Sequence, residues 1–265
     1  MSKKNTAQDI KKLKGTKPVV MLTAYDFPTA SILDASGLDA LLVGDSLAMS
    51  MLGREDTLSL TMEEMLHHCR AVSAGTSRAL VVGDMPFMSY EAGPTQAMEN
   101  AGRFFKEGGV RALKLEGGLA ILPQIKALIE AGMPVMGHLG LTPQRLAELG
   151  GYKVQGRDPQ KADLLLQEAR ALEGAGCFAL VLECIPADLA KRITETLFIP
   201  TIGIGAGPYC DGQILVLHDI IGLFDRFTPK FVKRYADLGQ EIGRAVSEYK
   251  ADVEAGRFPG PEHGF

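Results

Sequence analysis

The chain has no cysteine pair at CxxC spacing, no apolar run near the length of a membrane span, and no block of clustered basic charge. Its four cysteines (Cys69, Cys177, Cys184 and Cys210) sit mostly inside apolar runs. That placement fits buried, reduced thiols in a cytoplasmic protein rather than a disulfide framework. A span needs roughly 20 consecutive apolar residues, and no leader-like apolar segment follows the charged start, so no membrane association is expected. The 28 basic and 32 acidic residues are mixed along the sequence, for a net charge of −4. A nucleic-acid partner would require clustered Lys and Arg. The lysines at the start (Lys3, Lys4, Lys11, Lys12, Lys14 and Lys17) are broken by polar residues and read as a solvated face.

What the chain does have is a repeat. Five times a glycine is followed by a short apolar run that stops at an ionisable residue: Gly37 to Asp45, Gly75 to Asp84, Gly109 to Glu116, Gly132 to His138, and Gly176 to Glu183. A glycine closing one helix, a buried strand and then a polar side chain is the pattern of a βα unit. The repeat runs from about residue 19 to 222 without a break in composition, so one domain covering residues 1–265 is expected, with a short N-terminal extension, a C-terminal helix and a tail.

Eight strands are expected, at Val19–Asp26, Ala40–Ser46, Ala79–Met85, Ala112–Gly117, Pro134–Leu139, Ala179–Cys184, Thr201–Gly205 and Ile214–Asp219. Most are continuous aliphatic runs, as in parallel strands covered on both faces. Between them lie helical patterns. Thr61 and Glu64 form a capping box ahead of Met62, Met65, Leu66, Cys69 and Val72, and Leu165, Ala169 and Leu172 form a second stripe. A last helix is expected from Pro229, carrying Phe231, Tyr235, Leu238, Ile242, Val246 and Tyr249. Alternating strands and helices imply right-handed crossovers, and eight of them point to an α/β fold closed as a (β/α)8 TIM barrel. An open doubly wound sheet is the alternative that periodicity does not exclude. Two long loops, Met49–Leu60 and Leu141–Gln160, follow strands two and five, on the side where binding loops collect.

Asp45, Asp84 and Glu116 end consecutive strands, and adjacent strands lie about 4.8 Å apart. Three carboxylates so close repel unless a cation joins them, and hard oxygen ligands favour Mg²⁺. The competing reading is that each acid caps a helix or meets an arginine. Lys114 shares a strand face with Glu116 and needs a negative partner, whether a substrate carboxylate or a neighbouring acid. Crowding by carboxylates opposes a Schiff-base role for it. Glu183 closes an apolar run, where desolvation would suit a general base. His138 is open to three readings, a ligand, a donor to substrate, or a satisfied core histidine, and the last is the default for a lone histidine. The Gly203–Gly207 segment has GxGxG spacing followed by Pro208, a weak dinucleotide signal that fits a small anion site better.

These residues also carry a resemblance. Thr23–Asp26, Leu42–Ser46, Asp84–Phe87, Lys114–Gly118, Gly137–Gln144, Gly150–Gly156, Leu180–Glu183, Ile202–Gly207 and Asp211–Ile214 resemble the ketopantoate hydroxymethyltransferase family over nearly the whole chain. Ala48, where that family often has glycine, and the acidic stretch Arg54–Thr57 depart from its pattern. The resemblance implies a (β/α)8 barrel that uses Mg²⁺ and 5,10-methylenetetrahydrofolate to convert 3-methyl-2-oxobutanoate, a 2-oxo acid, into ketopantoate for pantothenate synthesis. It implies metal contacts at Asp45, Asp84 and Glu116, and substrate contacts at Asp45, Ser46, Asp84 and Lys114. It further implies a proton acceptor at Glu183 and a homo-oligomer, commonly a decamer. Two other readings compete on the same residues: a Mg²⁺-dependent C–C lyase resembling isocitrate lyase, and a non-catalytic barrel that binds a small acid. The first lacks a well-placed cysteine, and the second would not need the full acid set.

Overall fold

A computed structural model describes residues 4–265; Lys3 of the basic start lies outside them. They fall into two compact units, one ending at Val216 and the other Leu217–Phe265.

The first unit is a closed barrel of eight parallel strands in sequential order. The strands are β1 Val19–Thr23, β2 Ala40–Val43, β3 Leu80–Asp84, β4 Ala112–Glu116, β5 Val135–Gly140, β6 Ala179–Glu183, β7 Thr201–Ile204 and β8 Gly212–Leu215. Closure comes from β1 pairing with β8, Val19 opposite Gly212. A side chain at Gly212 would collide with the Val19 carbonyl, so the seam closes there only around a glycine. Helices α1 Ala7–Lys11, α2 Phe27–Ala35, α3 Leu47–Ser50, α4 Met62–Gly75, α5 Pro94–Lys106, α6 Leu122–Glu130, α7 Leu146–Leu149, α8 Pro159–Gly174 and α9 Ala187–Thr196 complete the unit. The closed ring settles the choice against an open doubly wound sheet.

The capping box of α4 forms as its sequence signals, Thr61 and Glu64 each bonding the other's backbone N–H. The long loop before it is tied down where Arg54 grips both Glu64 and the Ser59 carbonyl. Of the basic start, Lys14 and Lys17 do not simply solvate a face: they pair with Asp211 and Asp39, each at 2.7 Å. All four cysteines are free; Cys69 and Cys177 are buried, Cys184 and Cys210 half-buried.

Because side chains alternate across a strand, every second residue faces the barrel interior. Val19, Met21, Ala40, Leu42, Leu80, Val82, Ala112, Met136, Ala179, Val181, Ile202 and Ile214 form one buried cluster with Ala7 and Ile10 of α1. Following the same alternation toward the C-terminal rim turns apolar layers into charged ones. Leu80 and Val82 lead to Asp84, Ala112 leads to Lys114 and Glu116, Met136 to His138, and Ala179 and Val181 to Glu183. The charged rim is therefore the top of the core, built by strands whose lower halves are purely hydrophobic.

Two expected elements are shifted. The eighth strand is Gly212–Leu215, not Ile214–Asp219, and Leu217–Ile220 is a short helix, α10. In the second unit the last helix, α11, spans Leu238–Glu254 rather than starting at Pro229. The segment before it spends its backbone donors elsewhere: Tyr235 N and Ala236 N bond the Ile220 carbonyl, and Leu238 N bonds that of Ile221. Asp237 then caps α11 through Gln240 N. A helical hydrophobic spacing continued through 231–235 although the chain there is not helical.

Candidate active site

The three acids of consecutive strands converge. One oxygen each from Asp45, Asp84 and Glu116 lie within 4.8 Å of one another, and all three residues are buried. Asp84 and Glu116 are the last residues of β3 and β4, whereas Asp45 sits two residues beyond β2, its backbone N–H donating to Asp84 Oδ2 at 3.1 Å. Register sets the rest: Asp84 lies opposite Lys114, and Glu116 opposite His138.

Lys114 binds both neighbours, Nζ lying 2.9 Å from Asp84 Oδ2 and 2.6 Å from Glu116 Oε1. Burial opposes its charge, but Asp84, Glu116 and Asp45 outweigh that and hold its pKa above the ordinary lysine value. His138 donates from Nδ1 to Glu116 Oε1 at 3.2 Å. Burial and Lys114 both push its pKa down, yet Glu116 prevails and raises it to about 9, so the imidazole is cationic at neutral pH. Its Nε2 lies 3.2 Å from Glu183 Oε2, an ion contact not aligned as a hydrogen bond.

The carboxylates divide accordingly. Burial would raise Glu116, but Lys114 and His138 reverse that and bring it to about 2. Burial raises Asp84 to about 6 against the pull of Lys114, and one of its oxygens, Oδ1, has no hydrogen-bond partner among the described residues. Asp45, desolvated and facing Asp84 and Glu116, is raised well above the usual aspartate value. Four carboxylates, counting Glu183, thus face two cations. A divalent ion would correct that excess, and the unpartnered Asp84 oxygen, in a cluster with Asp45 and Glu116, fits the chemistry of a hard-cation ligand set. The oxygens of Glu116 are already engaged, Oε1 by Lys114 and His138 and Oε2 by Gln144 N at 3.0 Å.

Ser46 lies beside this cluster with its hydroxyl 2.8 Å from the Tyr25 hydroxyl. Glu183 lies across the barrel from Asp45, since β6 is four strands from β2, but only two strands from β4, and His138 on the strand between touches both Glu116 and Glu183. Its side chain keeps 16 % exposure, so it is less desolvated than its apolar run suggests. The next residue, Cys184, turns the chain with φ of +47°, its N–H held by the Ile204 carbonyl and its carbonyl by Gln155 N. The Gly203–Gly207 glycines follow β7, and Gln213 Nε2 donates to the Gly207 carbonyl at 3.1 Å.

Two site residues escaped sequence reasoning. Gln144 donates from Nε2 to Asp45 Oδ2 at 3.2 Å and to the Met85 carbonyl at 3.0 Å. Tyr90 donates to Gln144 Oε1 at 2.7 Å. Gln144 stands in a motif already noted, Gly137–Gln144, but nothing in the spacing shows that it folds back onto β2; Tyr90 has no signal in the sequence.

A closed (β/α)8 barrel with ionisable groups gathered at its C-terminal rim is the architecture of a TIM-barrel enzyme. Its fold is similar to that of phosphonopyruvate hydrolase (TM-score 0.63, 11 % identity, covering 97 % of this chain and 92 % of that one). It is also similar to 2,3-dimethylmalate lyase, a member of the PEP mutase/isocitrate lyase superfamily (TM-score 0.58, 17 % identity, 98 % and 91 % covered). At these identities the likeness is one of fold. Sequence goes further. The profile of ketopantoate hydroxymethyltransferase matches residues 4–261. The 3-methyl-2-oxobutanoate hydroxymethyltransferase of Oleidesulfovibrio alaskensis is 65 % identical over 98 % of this chain and 90 % of its own length. That of Syntrophobacter fumaroxidans is 56 % identical over 100 % and 94 %. The chain belongs to the ketopantoate hydroxymethyltransferase family and is an enzyme that transfers a hydroxymethyl group.

Proposed function

We propose that the chain transfers a hydroxymethyl group from 5,10-methylenetetrahydrofolate to 3-methyl-2-oxobutanoate, giving 2-dehydropantoate in pantothenate synthesis. Atom balance requires one water per turnover for the new hydroxyl. The observation that carries the reading is the convergence of Asp45, Asp84 and Glu116, with Lys114 between them and Glu183 reached through His138, in a chain of this family.

Asp45 and Asp84 would hold Mg²⁺, with Glu116 completing the acidic set. When bound, Mg²⁺ supplies Lewis-acid stabilisation of negative charge developing on a 2-oxo acid. Lys114 uses two of its three N–H donors on Asp84 and Glu116, which leaves the third for a substrate oxygen. Ser46, beside Asp45, offers a hydroxyl for the same substrate. Glu183 removes the C3 proton; water takes the one-carbon unit from its two folate nitrogens at the formaldehyde level, releasing tetrahydrofolate, and the carbon freed at C3 adds to it, giving the new C–C bond and, with a proton, the hydroxyl. Cationic His138, pinned on its far side by Glu116, fixes the Glu183 carboxylate by attraction.

Deuterium exchange at C3 of 3-methyl-2-oxobutanoate, with Mg²⁺ and without folate, tests this reading. Exchange in the wild type that disappears in Glu183→Gln is expected. A wild type that binds the 2-oxo acid but exchanges nothing would instead mean a non-catalytic binding barrel.

Association into a homo-oligomer, a decamer by family resemblance, is supported by α11, which has no buried residue and exposes Ile242, Val246, Tyr249 and Val253 along one face. Light scattering on the purified protein measures it. A cytoplasmic location is supported by four free cysteines. Among the described residues no helix is long and apolar enough to cross a membrane.

A further inference from the structure

We propose that Gln144, oriented by Tyr90, is a positioning residue that sets the Asp45 and Glu116 carboxylates for a divalent ion. This rests on the metal reading given above.

Asp45 has weaker support than its neighbours. Lys114 bonds Asp84 and Glu116, but among the described residues the only hydrogen bond to the Asp45 side chain comes from Gln144 Nε2, at 3.2 Å. The turn Pro143–Arg145 brings the same residue's backbone N–H to Glu116 Oε2 at 3.0 Å. One buried residue after β5 therefore grips an acid after β2 and another on β4. A neutral amide suits this role. It orients a carboxylate and leaves the full negative charge for a cation, whereas a lysine or arginine there would compete with the ion.

An amide can sit either way round, and its partners decide which. The Met85 carbonyl only accepts, so the NH₂ end faces it and Asp45, which use both of its protons. Oε1 faces the Tyr90 hydroxyl at 2.7 Å, a hydroxyl that also lies 3.1 Å from the Glu116 carbonyl. Tyr90 is in turn held by the Glu116 N–H at 3.2 Å, closing the circuit on the strand it serves.

The test is Mn²⁺ binding, followed by electron paramagnetic resonance of the free ion, in wild type, Gln144→Leu and Tyr90→Phe. Loss of an outer partner of a metal ligand typically weakens binding by about 10-fold or more. Gln144→Leu is expected to lose that much, and Tyr90→Phe less in the same direction, each with a circular dichroism spectrum like that of the wild type. Undiminished Mn²⁺ affinity in a folded Gln144→Leu overturns the proposal. Should that variant fail to fold, unchanged affinity in Tyr90→Phe overturns it equally. A wild type that binds no Mn²⁺ sinks the metal reading itself and the proposal with it.

Discussion

Replacing Lys114 with methionine removes the central cation of the rim and little else, since the two side chains have similar length and reach. Lys114 is only 4 % exposed and closes two ion pairs at 2.9 and 2.6 Å. Taking away one partner of a buried pair costs about 3–5 kcal/mol, because the remaining charge is left uncompensated. Here the remainder would be Asp84, Glu116 and Asp45, with His138, against Glu116, as the one positive group in contact among the described residues. Against a typical folding stability of about 5–15 kcal/mol, that loss is large. With a urea slope of about 3 kcal/mol per M, the unfolding midpoint should fall by about 1–2 M in the presence of a chelator. Mg²⁺ should restore part of the loss, since a divalent ion supplies positive charge to the same oxygens, and the gain on adding it should exceed that of the wild type. Equilibrium unfolding followed by circular dichroism reads both numbers. A variant midpoint equal to that of the wild type without metal would refute the electrostatic account of the cluster.

Further outcomes follow from the same geometry. Metal-free protein should lose stability as pH rises from 6 to 9, read by urea titration in a chelating buffer. The sign is set by His138, whose folded pKa of about 9 exceeds the ordinary 6.5, so its contribution is complete below 6.5 and lost on going through 9. Asp84, raised from 3.8 to about 6, acts in the same direction across its own lower window, because the folded state keeps a proton the unfolded chain has released. Stability that climbs from pH 6 to 9 would contradict the His138 assignment, and stability that climbs from pH 4 to 6 would count against that of Asp84. Mg²⁺ binding should release protons, seen by calorimetry in buffers of different ionisation enthalpy, because Asp45 is raised well above its usual range. Glu183→Gln should lower the C3 exchange rate by about 10²–10⁴-fold while leaving Mn²⁺ affinity near that of the wild type. Gly140→Ala should destabilise by about 1–3 kcal/mol and reduce turnover, since Gly140 has φ of +98° and a side chain there would collide with the Glu183 carbonyl.

Much of this protein can be read along the chain. Aliphatic runs ending in Asp84, Glu116, His138 and Glu183 announce strands buried below and polar at their tips, since a parallel strand covered on both faces has no other place for a charge. The capping box of Thr61 and Glu64 and the stripe behind it mark α4 for equally local reasons. Where the signal was periodicity alone it misled. Phe231 and Tyr235 keep a helical spacing outside the helix, because the backbone of 235–239 bonds residues 220–222 instead.

Contacts between distant segments are a different matter. That Lys114 binds Asp84 as well as Glu116, that His138 bridges Glu116 to Glu183, and that Gln144 reaches back to Asp45 depend on which strands adjoin and in what register. Residue types and spacing determine that a strand ends in a charge, because burial is a local demand. Which charge it meets, and so which group holds or yields a proton, is decided only when the barrel closes and brings residues 45, 84, 116, 138 and 183 onto one rim.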